Sequence, residues 1–309
     1  MSQLKNIAYG GWENCLRLSD DDLELVITLD VGPRIIRLGT PGGQNLFKEF
    51  DDQMGKTSGT EWMSFGGHRL WHAPEVFPRT YAPDFQSVDH TWKDNVLKMV
   101  QKTEPETGIQ KEIEICIQNK TVHLVHRLIN RNSWAVELAP WCLSVMAAGG
   151  RVLVPQEDFI PHPDVLTPAR PLVLWHFTRM NDPRFTWGDR LIQMREDSQI
   201  DSKQKFGVRN TKGWAAYQLG QELFLKLVPP SMPGAIYPDM GCNLEFFTMP
   251  GFLEVESLGP LVKLEPNAAT EHVEQWRLLS RIELPSEEKP LIDALNPYLR
   301  DMGLPAILN

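Results

Sequence analysis

The sequence predicts an all-β protein, and three observations predict it. Apolar and polar residues alternate with a period of two through nearly the whole chain. The 24 prolines and 22 glycines fit many short loops better than long helices. Only one stretch, SEEKPLIDALNPYLRDMG, carries a helical pattern. With no repeat, linker or shift in composition, residues 1–309 read as a single domain: a sandwich of large antiparallel sheets whose alternating faces share one core.

The elements follow in order. In DDLELVITLD, Leu23, Leu25, Ile27 and Leu29 alternate with Asp22, Glu24, Val26 and Thr28, the pattern of a half-buried strand. KEIEICIQ puts Ile113, Ile115 and Ile117 on one face. TVHLVHRLIN alternates likewise, which sets His123 and His126 on opposite faces. QELFLKLV and GFLEVESLGPLVKL continue the period. GTPGGQN, NRNS, AAGG, VPPSMPG and EPNA punctuate these runs as turns. A helical segment is expected over about 285–309, broken into short pieces by Pro290 and Pro297.

Composition excludes several function classes. A net charge of −9 disfavours nucleic acid and anionic membrane surfaces as partners. There is no run of about 18 apolar residues to span a bilayer. The start, MSQLKNIAYGGWENC, has no secretory h-region. Cys15, Cys116, Cys142 and Cys242 lie far apart without zinc-type pairing, and read as buried thiols in a reducing cytoplasm. No phosphate-cradling loop, G-x-S-x-G elbow or dinucleotide fingerprint is present, so no cofactor is expected. Ten tryptophans are many for this length. Most fill cores, but a subset lining a groove would suit a sugar, whose C–H faces pack on flat rings.

The densest chemistry sits in GGHRLWHAPE, residues 66–75. His68 and His72 have the i, i+4 spacing of a helical zinc pair. Arg69 stands where a metalloprotease needs glutamate, and Gly66, Gly67 and Pro74 oppose a helix. In a strand the two histidines share a face about 13 Å apart, too far to chelate one ion. No metal is expected. The Gly-Gly step allows close backbone approach to a ligand. Glu254 and Glu256, two apart, share a strand face, with Leu253, Val255 and Ser257 on the other. Glu245 lies one strand earlier.

LELVITLDVGPRIIRLGTPGGQNLF resembles the opening of the aldose 1-epimerase, or galactose mutarotase-like, superfamily, with Gly32, Arg34, Ile35, Asn45 and Leu46 at matching positions. SFGGHRLWHAPE resembles its G-G-x-x-x-x-W-P segment through Gly66, Gly67 and Trp71, with His72 in place of the proline. GFLEVESLGPLVKLEPNAATEHVEQWRL resembles its closing strands through Glu256, Leu264, Pro266 and Trp276, with Asn267 where glycine is usual. The likeness runs in order over roughly residues 20 to 280, and is nearest to a branch carrying GGHRLWH and E-x-E-x-LGP signatures.

The resemblance implies a β-supersandwich with a sugar on a concave face. It also implies mutarotation, in which a base removes the anomeric proton, an acid protonates the ring oxygen, and the ring opens and recloses. The superfamily's basic glutamate matches Glu256 better than Glu254. Its acidic histidine is missing, because VELAPWCLSVMAAGG offers only Trp141, Cys142 and Ser144. The donor would then come from His68, His72, His162 or His176, with His68 best placed. Arg69, Trp71, His72, Glu245, Glu254 and His162 are expected to bind a small-molecule sugar. Two other functions remain open: a carbohydrate-binding protein without catalysis, and a metal-dependent hydrolase or lyase using His68 and His72.

Overall fold

Alternation at every second residue gives each strand one apolar face, and two sheets bury those faces against each other. The structure, a computed structural model, describes residues 2–308. The first sheet has eleven strands. Ten run in the order Gln3–Tyr9, Trp12–Ser19, Glu24–Thr28, Arg34–Gly39, Gly67–Ala73, Val136–Ala147, Phe252–Leu258, Leu244–Met249, Gln204–Val208 and Leu172–Leu174, and Val262–Leu264 pairs the far end of Val136–Ala147. The second sheet has ten, from Phe185–Trp187 at one edge to Asp89–Lys93 at the other. All pairings are antiparallel. Leu70, Cys142, Val255 and Phe246 of the first sheet meet Ile115, Leu124, Phe224 and Trp276 of the second in one continuous core.

The far side of the second sheet is covered by the C-terminal helix, Glu288–Asp301. It runs unbroken through both prolines, against the expectation of short pieces. Pro290 falls in the first turn, where the backbone N–H has no partner in any case. Pro297 removes an interior hydrogen bond, a cost of about 3 kcal/mol. Leu291, Ile292, Leu295 and Leu299 are fully buried against Leu153, Trp214 and Leu225, at about 1.5–3 kcal/mol each. Packing outweighs the break. No helix of the described residues is long and apolar enough to cross a membrane.

Two local features explain sequence oddities. A Cβ on Gly66 would lie 1.9 Å from the Lys48 carbonyl oxygen, and one on Gly67 2.3 Å from that of Ile35. The Gly-Gly step therefore admits the neighbouring backbone, rather than a ligand. Asn267, which stands where glycine was expected, has φ +63°, and asparagine is one of the few side chains that tolerates that region.

Candidate functional site

The ten-residue motif forms a strand, Gly67–Ala73, in the middle of the first sheet, and the pleat sorts its side chains. Leu70 faces the sandwich core. Arg69 and Trp71 face the opposite, concave side, where they line a cleft of about 390 Å³. The flanking strands are sorted the same way. Trp141 and Leu143 line the cleft while Cys142 joins the core. Glu254 lines the cleft while Leu253 and Val255 join the core.

One wall of the cleft is aromatic. Trp71 packs on Trp62, Tyr81 and Trp141 with ring centres 5.0, 5.1 and 5.3 Å apart. Arg69 lies over Trp71 at 4.5 Å and over Trp62 at 5.3 Å, and donates from Nη2 to Glu254 Oε1 at 3.2 Å. Lys205 lies over Trp175 at 4.6 Å and over Trp141 at 5.0 Å. Its Nζ is 2.8 Å from Glu245 and 3.1 Å from Glu256, whose Oε2 also accepts from Trp141 Nε1 at 2.8 Å. Glu245 and Glu256 are register partners on adjacent strands, so one ammonium meets both.

The three carboxyls differ in reach. Glu245 and Glu256 are fully buried beneath Lys205, whereas the Glu254 side chain is 13% exposed. Burial pushes the Glu254 carboxyl up to about 7, against the opposing pull of Arg69. Burial likewise raises Glu245, outweighing Lys205. For Lys205, burial alone would lower the pKa, but Glu256 and Glu245 outweigh it and keep the ammonium charged. The cleft thus offers a titratable carboxyl beside a wall of indoles, the ordinary makings of a site for a small polar ring.

No protein-family model matches the chain, and no curated protein matches it in sequence. Solved structures match it in fold. A galactose mutarotase-like protein from Clostridium acetobutylicum aligns over 90% of this chain and 99% of its own, at 12% identity and a TM-score of 0.54. A galactose mutarotase related enzyme from Lactobacillus acidophilus aligns over 91% and 98%, at 7% identity and a TM-score of 0.51. The chain has the galactose mutarotase-like fold. The fold also occurs within larger proteins: a TPR-domain containing protein from Parabacteroides distasonis matches 89% of this chain at 11% identity and a TM-score of 0.58, but this chain spans only 49% of it.

On this mutarotase-like scaffold the residues singled out from the sequence divide into two groups. Arg69, Trp71 and Glu254 line the cleft, and Glu245 and Glu256 lie just beneath it, tied to it through Lys205. His68, His72 and His162 are not brought there. His162 is exposed in the loop 156–171, which lies outside the cleft lining. His72 is buried 3.7 Å from Glu104, which Lys111 also holds.

His68 points into the core and belongs to a buried polar cluster between the sheets. Its Nε2 is 2.8 Å from His126 Nε2, and its Nδ1 is 2.9 Å from Ser144 Oγ. His126 Nδ1 must donate to the His272 carbonyl at 3.1 Å, so His126 Nε2 accepts and His68 Nε2 donates. His68 Nδ1 then accepts from Ser144, which in turn accepts from Lys226 at 3.1 Å. On the other side, Glu274 accepts from Ser257 at 2.5 Å and from Trp276 at 2.8 Å, and pairs with Lys226 at 2.9 Å. Cys142 lies close enough to complete metal-sized triads with His68 and His126, or with His272 and Glu274. Yet both ring nitrogens of His68 and His126, Nε2 of His272 and the Glu274 carboxylate already have partners, and a buried ammonium sits beside them. His68 and His72 go to different partners, Ser144 and His126 for the first and Glu104 for the second. Burial drives His68 well below its ordinary pKa and His272 down to about 4, so these rings are neutral at pH 7.

Lys205, Trp62, Tyr81, Trp141 and Trp175 were not foreseen as cleft residues. Trp141 carried a usable signal, since it shares a pleat face with Leu143 in a strand whose alternate residues, Cys142 and Ser144, face inward. Lys205 carried none, because its role depends on three strands meeting across the sheet.

Proposed function

We propose that the concave cleft binds a neutral monosaccharide and interconverts its anomers, with Glu254 as the group that moves the proton. The observation that carries this reading is the position of Glu254. Of the three strand carboxyls, Glu245, Glu254 and Glu256, it is the one that lines the cleft; it lies beside the indole wall, and its pKa is pushed up to about 7, whereas Glu75, at the cleft's edge, is taken by the Tyr81 hydroxyl. Near neutral pH both of its protonation states are populated, the condition for efficient general acid–base catalysis. The anomeric hydroxyl and the ring oxygen are borne by the same carbon. One carboxyl can therefore take the proton from the first and return it to the second, so the histidine missing from the central strand is not required. Ring opening, rotation about C1–C2 and closure then give the other anomer. Glu256, ranked first from the sequence, here acts with Glu245 to hold Lys205 against Trp141.

The substrate is neutral in this reading because each inner cation of the cleft has a carboxyl beside it. Arg69 is held by Glu254, and Lys205 by Glu245 and Glu256. Of the described cations that line the cleft, the exposed Lys203 is left for an anionic group. The free cysteines suit a single-domain protein of the reducing cytoplasm. A sugar-binding role without catalysis is the second reading, favoured by the placement of the motif histidines away from the cleft.

Crystals soaked in a panel of neutral hexoses and hexose phosphates test the site. The expected result is a neutral sugar against Trp71 and Trp141, with its anomeric oxygen in hydrogen-bond reach of Glu254. Sugar bound elsewhere, or a phosphate ester bound in preference, would sink the reading.

A further inference from the structure

A second groove of about 270 Å³ lies at the corner where both sheets end. The edge strands Leu172–Leu174 of the first sheet and Phe185–Trp187 of the second border it, and Leu172, Met180, Trp187, Ile192 and Val208 give it an apolar lining. The loop 156–171 springs from its rim. That loop holds Ile160 51% exposed and Leu166 73% exposed, and Met180 at the groove is 55% exposed. A projecting apolar loop therefore stands beside an apolar groove. Charges are arranged in the same way. Arg170 and Arg209 on the rim make no ion pair among the described residues, although the chain carries a net charge of −9. Asp164, at the exposed turn of the loop, makes none either.

A projection and a recess side by side on one patch are self-complementary under a two-fold axis, where each copy's projection fills the other's recess. We propose that this corner is the interface of a symmetric homodimer, in which Leu166 and Ile160 of one copy seat in the groove of the second and Asp164 meets the partner's Arg170 or Arg209. A stable interface takes about 20–30 residues a side, which the loop and the groove lining together supply. Joining the patches also covers two short sheet edges that would otherwise stay open to pairing. The proposal is independent of the sugar cleft, which lies on the concave face and shares no lining residue with the groove.

Sedimentation velocity of the full chain over a range of concentrations tests it. Wild type is expected to pass from a 35.3 kDa species to one of twice that mass. Leu166→Glu and, separately, Met180→Glu should weaken the dimer by roughly 30-fold or more, as loss of a central apolar anchor does. Leu166 is on an exposed loop, so its variant should keep the wild-type unfolding curve. Phe77→Glu, at an exposed site outside the groove, should leave the dimer unchanged. A wild type that stays monomeric throughout would overturn the proposal, as would a dimer unaffected by both groove substitutions or one equally weakened by Phe77→Glu.

Discussion

Replacing Lys226 with methionine probes the buried cluster that holds His68. The substitution keeps an unbranched apolar stem of four heavy atoms and removes the ammonium. Glu274 keeps its bonds from Ser257 and Trp276 but loses the charge 2.9 Å away. Both partners are fully buried, so water cannot compensate. Breaking one side of such a pair costs about 3–5 kcal/mol. The pH dependence gives a sharper test. In the wild type, burial would raise the Glu274 carboxyl, but opposing positive charge, Lys226 foremost, outweighs it and holds it low. Its contribution is therefore full above its unfolded value and is lost as pH falls. Without Lys226 the native cluster must take up one extra proton, on Glu274 or on His68. The deficit of the variant should then shrink on acidification, by up to about 1.4 kcal/mol per pH unit for one proton. Urea unfolding of both proteins at pH 5, 6 and 7 measures this. A deficit below about 1 kcal/mol, or one that does not change with pH, would refute the cluster as described.

Three further outcomes follow from the same geometry. His68→Ala should lower stability by roughly 1–3 kcal/mol, because it strands His126 and Ser144, yet leave sugar affinity of the folded variant unchanged in a calorimetric titration. Wild-type stability should fall as pH drops from about 6.5 to 4, since His272, lowered to about 4 by burial, is charged in the unfolded chain before it can be charged in the native one; the His272 share is on the order of 3 kcal/mol, read from unfolding midpoints across that window. Trp71→Ala should weaken sugar binding by about 1–3 kcal/mol, the cost of losing an aromatic anchor, measured by quenching of the remaining tryptophan fluorescence.

The sheets were legible because a period of two is a direct consequence of the pleat. Leu253, Val255 and Ser257 turn inward while Glu254 and Glu256 face the other way, as alternation demands. The same rule separates His68 from Arg69 and His123 from His126. Which face of Gly67–Ala73 is concave is a property of the neighbouring strands, and no local pattern carries it. His68 therefore looked like a cleft residue while belonging to the core. The Gly-Gly step misled in a related way: it marks close approach, but the approaching group is the Lys48 backbone, about twenty residues earlier in the chain. The helix survived its prolines because the second sheet lends it a partner that helix propensity does not count.

The most direct test of the central claim is anomer exchange followed by NMR saturation transfer, with wild type, Glu254→Gln and Glu256→Gln compared near pH 7. Wild type should exchange the anomers of a neutral hexose faster than buffer. Glu254→Gln should lower the enzymatic rate by about 10²–10⁴-fold while the folded variant still binds sugar. Glu256→Gln should cost less in rate, because that carboxyl holds Lys205 and does not reach the anomeric centre. The opposite ranking of the two variants, or a wild type that binds sugar without exchanging it, would contradict the assignment of Glu254.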